Sequence, residues 1–195
     1  MARITPFKRH HLAYNVKSLR MIGCYSSRSK LDCAKFAEVR ARLPQAEYSN
    51  KVSATRIPRE IQRARCGLCL SAEEGAMFAC AEYLLCGLPV VNTANIGGRD
   101  NIIPEIALRR VSDCADEVAA AVEWWREHAP DPRAVRAEFL ELVRPHREFL
   151  RELLVDLTGK SFERLPHKLG LRRRLLLWER LQHGVWAKQA SRPDA

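Results

Sequence analysis

The chain has 195 residues, a formal net charge of +10 at neutral pH, 47% hydrophobic residues and 7 cysteines. That length suits one domain of ordinary size with its own core, and the apolar content excludes a disordered chain. No run reaches transmembrane length, no apolar signal segment opens the sequence, and an odd set of scattered cysteines implies reduced thiols in a cytoplasmic setting.

In chain order, Met1–His11 (MARITPFKRHH) reads as a strand end running into a loop and a short helix, with Arg3 and Lys8 flanking Pro6. Leu19–Cys24 is strand-like. Leu31–Leu43 is a helix with Cys33, Phe36, Val39 and Leu43 on a broad apolar face, and Pro44 ends it. Lys51–Thr55 is a connector. Ile57–Ala64 is a short helix with Pro58 at its start, where proline is preferred.

Cys66–Ser71 (CGLCLS) is a short apolar run, read as a buried strand. Its C-x-x-C lacks the second pair that a zinc ribbon needs. In a strand, Cys66 and Cys69 face opposite sides, so both are read as structural. Met77–Cys86 has apolar cover at helical spacing, Gly87 sits where a C-terminal glycine is expected, and Pro89 acts as a stop. Pro89–Asn92 is the next strand. Beyond Gly97–Gly98 come a polar loop at Arg99–Asn101 and a candidate edge strand at Ile106–Val111. Ser112 or Asp113 is then expected to cap a helix over Ala115–Ala129, with Val118, Val122, Trp125 and Ala129 on one face.

Arg133–Leu157 reads as a long helix kinked at Pro145, its Val135, Phe139, Leu142, Phe149 and Leu153 assigned to core and His146 to a surface or packed position. Strands alternating with helices imply an α/β fold, a Rossmann-like, doubly wound parallel sheet over residues 1–157. Gly159 and Pro166 mark a linker within 158–195. Leu169–Lys188 (LGLRRRLLLWERLQHGVWAK) follows as a basic amphipathic helix. Arg172–Arg174 at its start are unfavourably placed against the helix dipole unless a partner supplies negative charge. That helix either docks on another domain or a second copy, the preferred reading, or makes peripheral contact with an anionic membrane surface, which would place the protein at the inner membrane face.

Charge is uneven along the chain. Residues 1–70 carry about eleven more Lys and Arg than Asp and Glu, residues 71–157 about seven fewer, and residues 158–195 about six more. Such asymmetry speaks of partners rather than fold. With no helix-turn-helix, finger or aromatic-interleaved basic motif, nucleic acid is not an expected partner.

The chemistry concentrates at Ser71–Asn92 (SAEEGAMFACAEYLLCGLPVVN), a strand, a polar corner, a helix and a strand. Ligands of doubly wound sheets bind at the carboxyl ends of strands, and a helix start offers unpaired N–H groups to a phosphate. Glu74 lies in the corner and Glu82 about two turns into the helix, from which it leans back toward the same ligand. Carboxylates disfavour phosphate but accept from sugar hydroxyls, so the pattern suggests a nucleotide-sugar. On spacing alone, the favoured reading is that both glutamates simply sit near a helix start and in solvent.

EGAMFACAEYLLCGLPVV, with Glu74 and Glu82 separated by seven residues and Gly97–Gly98 beyond, resembles the E-x7-E signature of family-4 glycosyltransferases. The resemblance covers roughly residues 2–155 and implies the nucleotide-sugar-binding half of a two-domain GT-B architecture. It implies that Glu82 holds ribose hydroxyls and that Glu74 contacts the donor sugar, with backbone N–H groups of Gly75, Ala76, Met77 and Phe78 assisting. It further implies an Arg and a Lys on the diphosphate, assigned to Arg3 and Lys8 with Arg9 as substitute; ordinary surface charge is the alternative for these cations.

Three departures stand out. Ala76-Met77 replaces the Phe-Gly that commonly follows the first Glu-Gly, and Asn101 replaces a common Glu. Third, an acceptor-binding domain precedes this half in the family, whereas only Met1–Ala2 precede the first strand here, so the chain is expected to be a fragment, a subunit completed by another polypeptide, or a remnant that binds donor without transferring it. The expected activity is retaining sugar transfer once an acceptor-binding domain is supplied, and the alternative is a non-catalytic nucleotide-sugar-binding or assembly module. No Asp-x-Asp motif occurs, so a divalent metal is not expected to be required.

Overall fold

The structure, a computed structural model, describes residues 2–3, 8–24, 29–50, 52–75, 77–159 and 161, with backbone alone at Ala2, Arg3 and Cys24. Six strands alternate with helices: β1 (Ala2–Arg3), β2 (Arg20–Cys24), α1 (Lys30–Arg42), β3 (Glu47–Asn50), α2 (Ile57–Ile61), β4 (Gly67–Cys69), α3 (Phe78–Leu85), β5 (Val90–Thr93), β6 (Leu108–Val111), α4 (Ala115–Glu127) and α5 (Pro132–Thr158). Every strand pair is parallel. Among the described residues the strands form two three-stranded sheets, β1-β2-β3 and β4-β5-β6, where one continuous sheet was expected. Each sheet grows outward in chain order from its first strand.

A parallel sheet needs cover on both faces, and apolar residues supply it. On one side Leu12, Ala13 and Val16, around a short 3-10 helix at His10–Ala13, join Val39 and Leu43 of α1 and Val118, Ala121 and Trp125 of α4 against Met21, Leu70 and Val91. This cluster takes residues from both sheets, so a single core joins them. On the other side Ile57 and Ile61 of α2 pack with Leu88, Ile22, Tyr83 and Cys86. Helices therefore cover both faces, as a doubly wound fold requires. All four residues of β5 are buried, consistent with its central place between β4 and β6.

Two glycines permit close approaches that fix this arrangement. A Cβ at Gly67 would lie 2.1 Å from the Tyr83 ring, so only glycine lets α3 settle against β4. Gly87 closes α3 at φ +77°, the left-handed position expected of it, and a Cβ there would also strike Pro132. The two cysteines of the C-x-x-C face opposite ways, as expected: Cys66 packs toward the α1/α4 core, whereas Cys69 is fully buried beside Cys80 of α3.

Several local expectations are corrected. β3 (sequence EYSN) was read as part of no element; it is short and polar, and its register with β2 (Arg20 opposite Glu47 through Gly23 opposite Asn50) is what makes it a strand. Neither Ser112 nor Asp113 caps α4. Cys114 occupies the N-cap without a side-chain bond, the Glu117 carboxylate turns back to accept from the Ser112 N–H (2.9 Å), and Asp113 pairs with Arg9. In α5, Val135 and Phe139 are buried as expected, but Leu142 is 42% exposed and Phe149 66% exposed, so these two are not core.

The chain divides into two compact units, residues 1–142 and 143–195. The first contains all six strands. In the second, the described part is the remainder of α5, with Pro145 inside the helix and Gly159 (φ +64°) closing it through an N–H bond to the Val155 carbonyl. Leu169–Lys188, read as a basic helix, lies outside the described residues.

Candidate functional site

β4 ends at Cys69 and β5 at Thr93, and the loops leaving these two carboxyl ends run side by side. The Ile96 N–H donates to the Ala72 carbonyl (2.7 Å) and the Glu74 N–H to the Ile96 carbonyl (3.3 Å), so Glu73 and Ile96 form an isolated parallel bridge. Gly97–Gly98 make this contact possible. A Cβ on Gly97, which holds φ +137°, would sit 2.1 Å from the Glu74 carbonyl oxygen, and one on Gly98 would lie 2.9 Å from that of Gly75. The glycine pair after β5 and the Glu-Gly after β4 are thus one structural feature, the backbones of two loops in contact.

Glu74 stands on this platform, half-buried. Its Oε1 accepts the Ser71 hydroxyl (3.0 Å) and forms an ion pair with the Lys8 ammonium. Burial pushes the Lys8 ammonium below its ordinary 10.5, and the positive Arg99 guanidinium nearby adds to that push. Two residues chosen from distant parts of the sequence therefore meet. Arg3 lies in β1, with its side chain outside the described structure. Arg9, the substitute cation, is engaged elsewhere: its guanidinium donates to the Leu70 carbonyl, the Thr93 hydroxyl, the Ala94 carbonyl and Asp113.

α3 begins next to Glu74. Met77 is its N-cap with no side-chain capping bond, no acidic residue occupies the first turn, and the first helical bond runs from the Ala81 N–H to the Met77 carbonyl. The N–H groups ahead of Ala81 are thus left without a capping side chain, the arrangement that favours an anion. Gly75 is exposed and Met77 buried; Ala76 lies outside the described residues. Phe78 is 81% exposed at the helix start and Ile96 78% exposed on the adjoining loop. Glu82 is the fifth residue of α3 and half-buried, about one turn in rather than the two expected.

One functional-site residue escaped the sequence reading. Arg99, taken for part of a polar loop, is wholly buried. Its guanidinium donates to the Ser71 carbonyl (2.8 Å) and hydroxyl (3.2 Å), to the Thr93 carbonyl (2.6 Å) and to Asp100 (3.2 Å), while the Asn92 amide donates to the same Asp100 oxygen (3.1 Å). A buried charge persists when paired and fully hydrogen-bonded. Nothing local in Gly-Gly-Arg-Asp signals this; beside neighbouring Asp100, the acceptors are the ends of two strands, one of them 28 residues away.

No protein-family profile matches the chain, and neither does any curated protein sequence. Solved structures do. HepE of Anabaena, solved in complex with UDP, aligns with a TM-score of 0.61 at 17% identity over 77% of this chain and 46% of its own; its complex with UDP and glucose aligns at 0.62 and 16% over the same shares. AviGT4, a glycosyltransferase of avilamycin A biosynthesis, aligns at 0.56 and 19% over 80% of this chain and 50% of its own. The lipopolysaccharide outer core galactosyltransferase WaaB aligns at 0.54 and 16% over 77% and 44%. The chain spans about half the length of these structures. The likeness defines the fold: this is the Rossmann-like domain fold of GT-B glycosyltransferases, as the E-x7-E resemblance led us to expect.

Proposed function

We propose that the chain is the nucleotide-sugar-binding domain of a retaining, family-4-like glycosyltransferase that transfers sugar when completed by an acceptor-binding domain. The observation that carries this reading is the Lys8–Glu74 ion pair beside the uncapped start of α3. Together these provide a cation and backbone N–H groups for a diphosphate, and a carboxylate for sugar hydroxyls. The GT-B fold, and UDP in the HepE complexes, support it.

In this reading the diphosphate lies across the N–H groups of Gly75–Phe78, at and just ahead of the start of α3, with Lys8 and Arg3 neutralising it. Glu74 holds the donor sugar and Glu82 the ribose hydroxyls. Transfer breaks the bond between the anomeric carbon and the diphosphate oxygen. The acceptor hydroxyl bonds to that carbon on the face being vacated, and its proton passes to the departing diphosphate. Fixed cations at the leaving oxygens stabilise the charge that develops there. In this reading these cations take the charge-neutralising part that a metal ion takes in enzymes with an Asp-x-Asp motif, so transfer is proposed to proceed unchanged in excess chelator. The acceptor half would be a separate polypeptide or domain. We further propose a cytoplasmic location, with Leu169–Lys188 as the contact to that partner or to the inner membrane surface.

Calorimetry with UDP and a panel of nucleoside diphosphates tests the binding claim. Lys8→Ala should weaken UDP by about ten- to a hundredfold, the worth of a charge-assisted hydrogen bond. Glu82→Ala should weaken UDP while leaving inorganic pyrophosphate unchanged. A wild-type chain that binds no nucleoside diphosphate would refute the reading. The alternative reading is a module that binds donor without transferring it. Sugar transfer restored by adding a GT-B acceptor half excludes that alternative.

A further inference from the structure

Arg9 sits between the cation that meets Glu74 and the helical segment that follows, and it is held in an unusual way. Its backbone is left-handed (φ 52°, ψ 36°), which makes it the one described non-glycine residue at positive φ. Such a conformation persists where surrounding contacts over-determine it. Here the contacts are four hydrogen bonds from one guanidinium. Nε donates to the Leu70 carbonyl (2.6 Å), Nη2 to the Thr93 hydroxyl (2.8 Å) and the Ala94 carbonyl (3.3 Å), and Nη1 to Asp113 (2.5 Å). Leu70 and Ala94 are the first residues beyond β4 and β5, the points at which the Glu74 loop and the Gly97–Gly98 loop depart. Asp113 stands just ahead of α4. Arg99, wholly buried, grips the same strand ends through the Ser71 and Thr93 carbonyls.

The two strand ends are thus held by two guanidiniums, and one of these belongs to the residue next to Lys8. We propose that Arg9 is a positioning residue. It hooks the leading segment onto the carboxyl ends of β4 and β5, and so sets the Lys8 ammonium opposite Glu74 without itself meeting a ligand anion. Four of its five N–H donors are engaged by the framework, and an incoming diphosphate would have to displace a carbonyl, a hydroxyl or a carboxylate to reach those four. The ligand part of this proposal rests on the function proposed above; the anchoring part does not.

Arg9→Asn separates the two contributions, because asparagine tolerates positive φ while lacking the guanidinium. Amide hydrogen exchange of the ligand-free chain is the first readout. The proposal expects exchange across residues 70–75 and 94–98 to rise about tenfold or more, as local opening becomes easier. It expects no such rise in Lys8→Ala. Unchanged exchange in Arg9→Asn overturns the anchoring claim whether or not the chain binds UDP. Asp113→Ala, which removes one exposed anchor, should give a smaller rise in the same segments and keeps the test available if Arg9→Asn fails to fold. The second readout is the salt dependence of UDP affinity. Arg9→Asn should lower affinity with an unchanged salt slope, whereas Lys8→Ala should flatten the slope by about one charge. A flattened slope with unchanged exchange in Arg9→Asn would make Arg9 an anion ligand and overturn the proposal. Absence of UDP binding by the wild-type chain would sink the ligand reading and leave the exchange result to decide the anchor.

Discussion

At the scale of single residues, Gly97 shows how a motif and a backbone contact are the same thing. A side chain there would need both a left-handed backbone and room that the Glu74 carbonyl already fills. Gly97→Ala should therefore lower stability by about 2 kcal/mol or more. Gly75→Ala is its control: a Cβ on Gly75 meets nothing within 4 Å, so its urea midpoint should shift little.

Cys66 supplies a pH test. Burial pushes its thiol up to about 12 from an ordinary 9.0. Above the ordinary value the unfolded chain releases that proton while the folded chain retains it. Stability is therefore fully present below pH 9 and declines as pH rises toward 12. Buried Tyr83, also pushed up, contributes in the same direction. Comparing urea midpoints at neutral and alkaline pH, Cys66→Ala should lose part of the alkaline decline shown by the wild-type chain.

Residue types and spacing made Glu74, Glu82, Lys8 and the glycine pair legible as candidates. They could not show that Arg9 and Arg99 spend their donors on strand ends, since most of those acceptors are backbone carbonyls with no sequence signature.

Among elements, those with apolar periodicity were read well and those held by partners were not. α3 and β5 came out within a residue or so because an apolar face, a closing glycine and a proline agree on their limits. β3 has no apolar run and exists through its pairing with β2. The α4 start was misassigned because Asp113, a good capping residue by type, is drawn to Arg9 instead. α4 nonetheless supplies a bulky core side chain: Trp125 is buried and its indole N–H reaches the Val90 carbonyl at 3.4 Å. Trp125→Ala should cost about 3–5 kcal/mol, chiefly through the cavity it leaves. A denaturation midpoint barely altered by that change would show that α4 is not packed on β5 as described.

For the whole molecule, the α/β class and parallel sheet followed from alternation of strands and helices, and the two-sided cover by helices accords with them. The long helix was legible too: α5 runs through Pro145 within a residue of its expected limits at either end, although the compact units part near Leu142. Every strand and every described candidate residue lies in the first unit. A chain ending after Thr158 should therefore match the full chain in UDP affinity, with any lipid or partner binding lost alongside residues 159–195.

The central claim is that a nucleoside diphosphate binds at the corner shared by Lys8, Glu74 and the start of α3. Amide chemical-shift mapping during a UDP titration tests it most directly. The account predicts saturable shifts concentrated at residues 8, 74–82 and 97–98, all abolished or weakened together in Lys8→Ala. Shifts confined to other surfaces, or none at millimolar UDP, would contradict it.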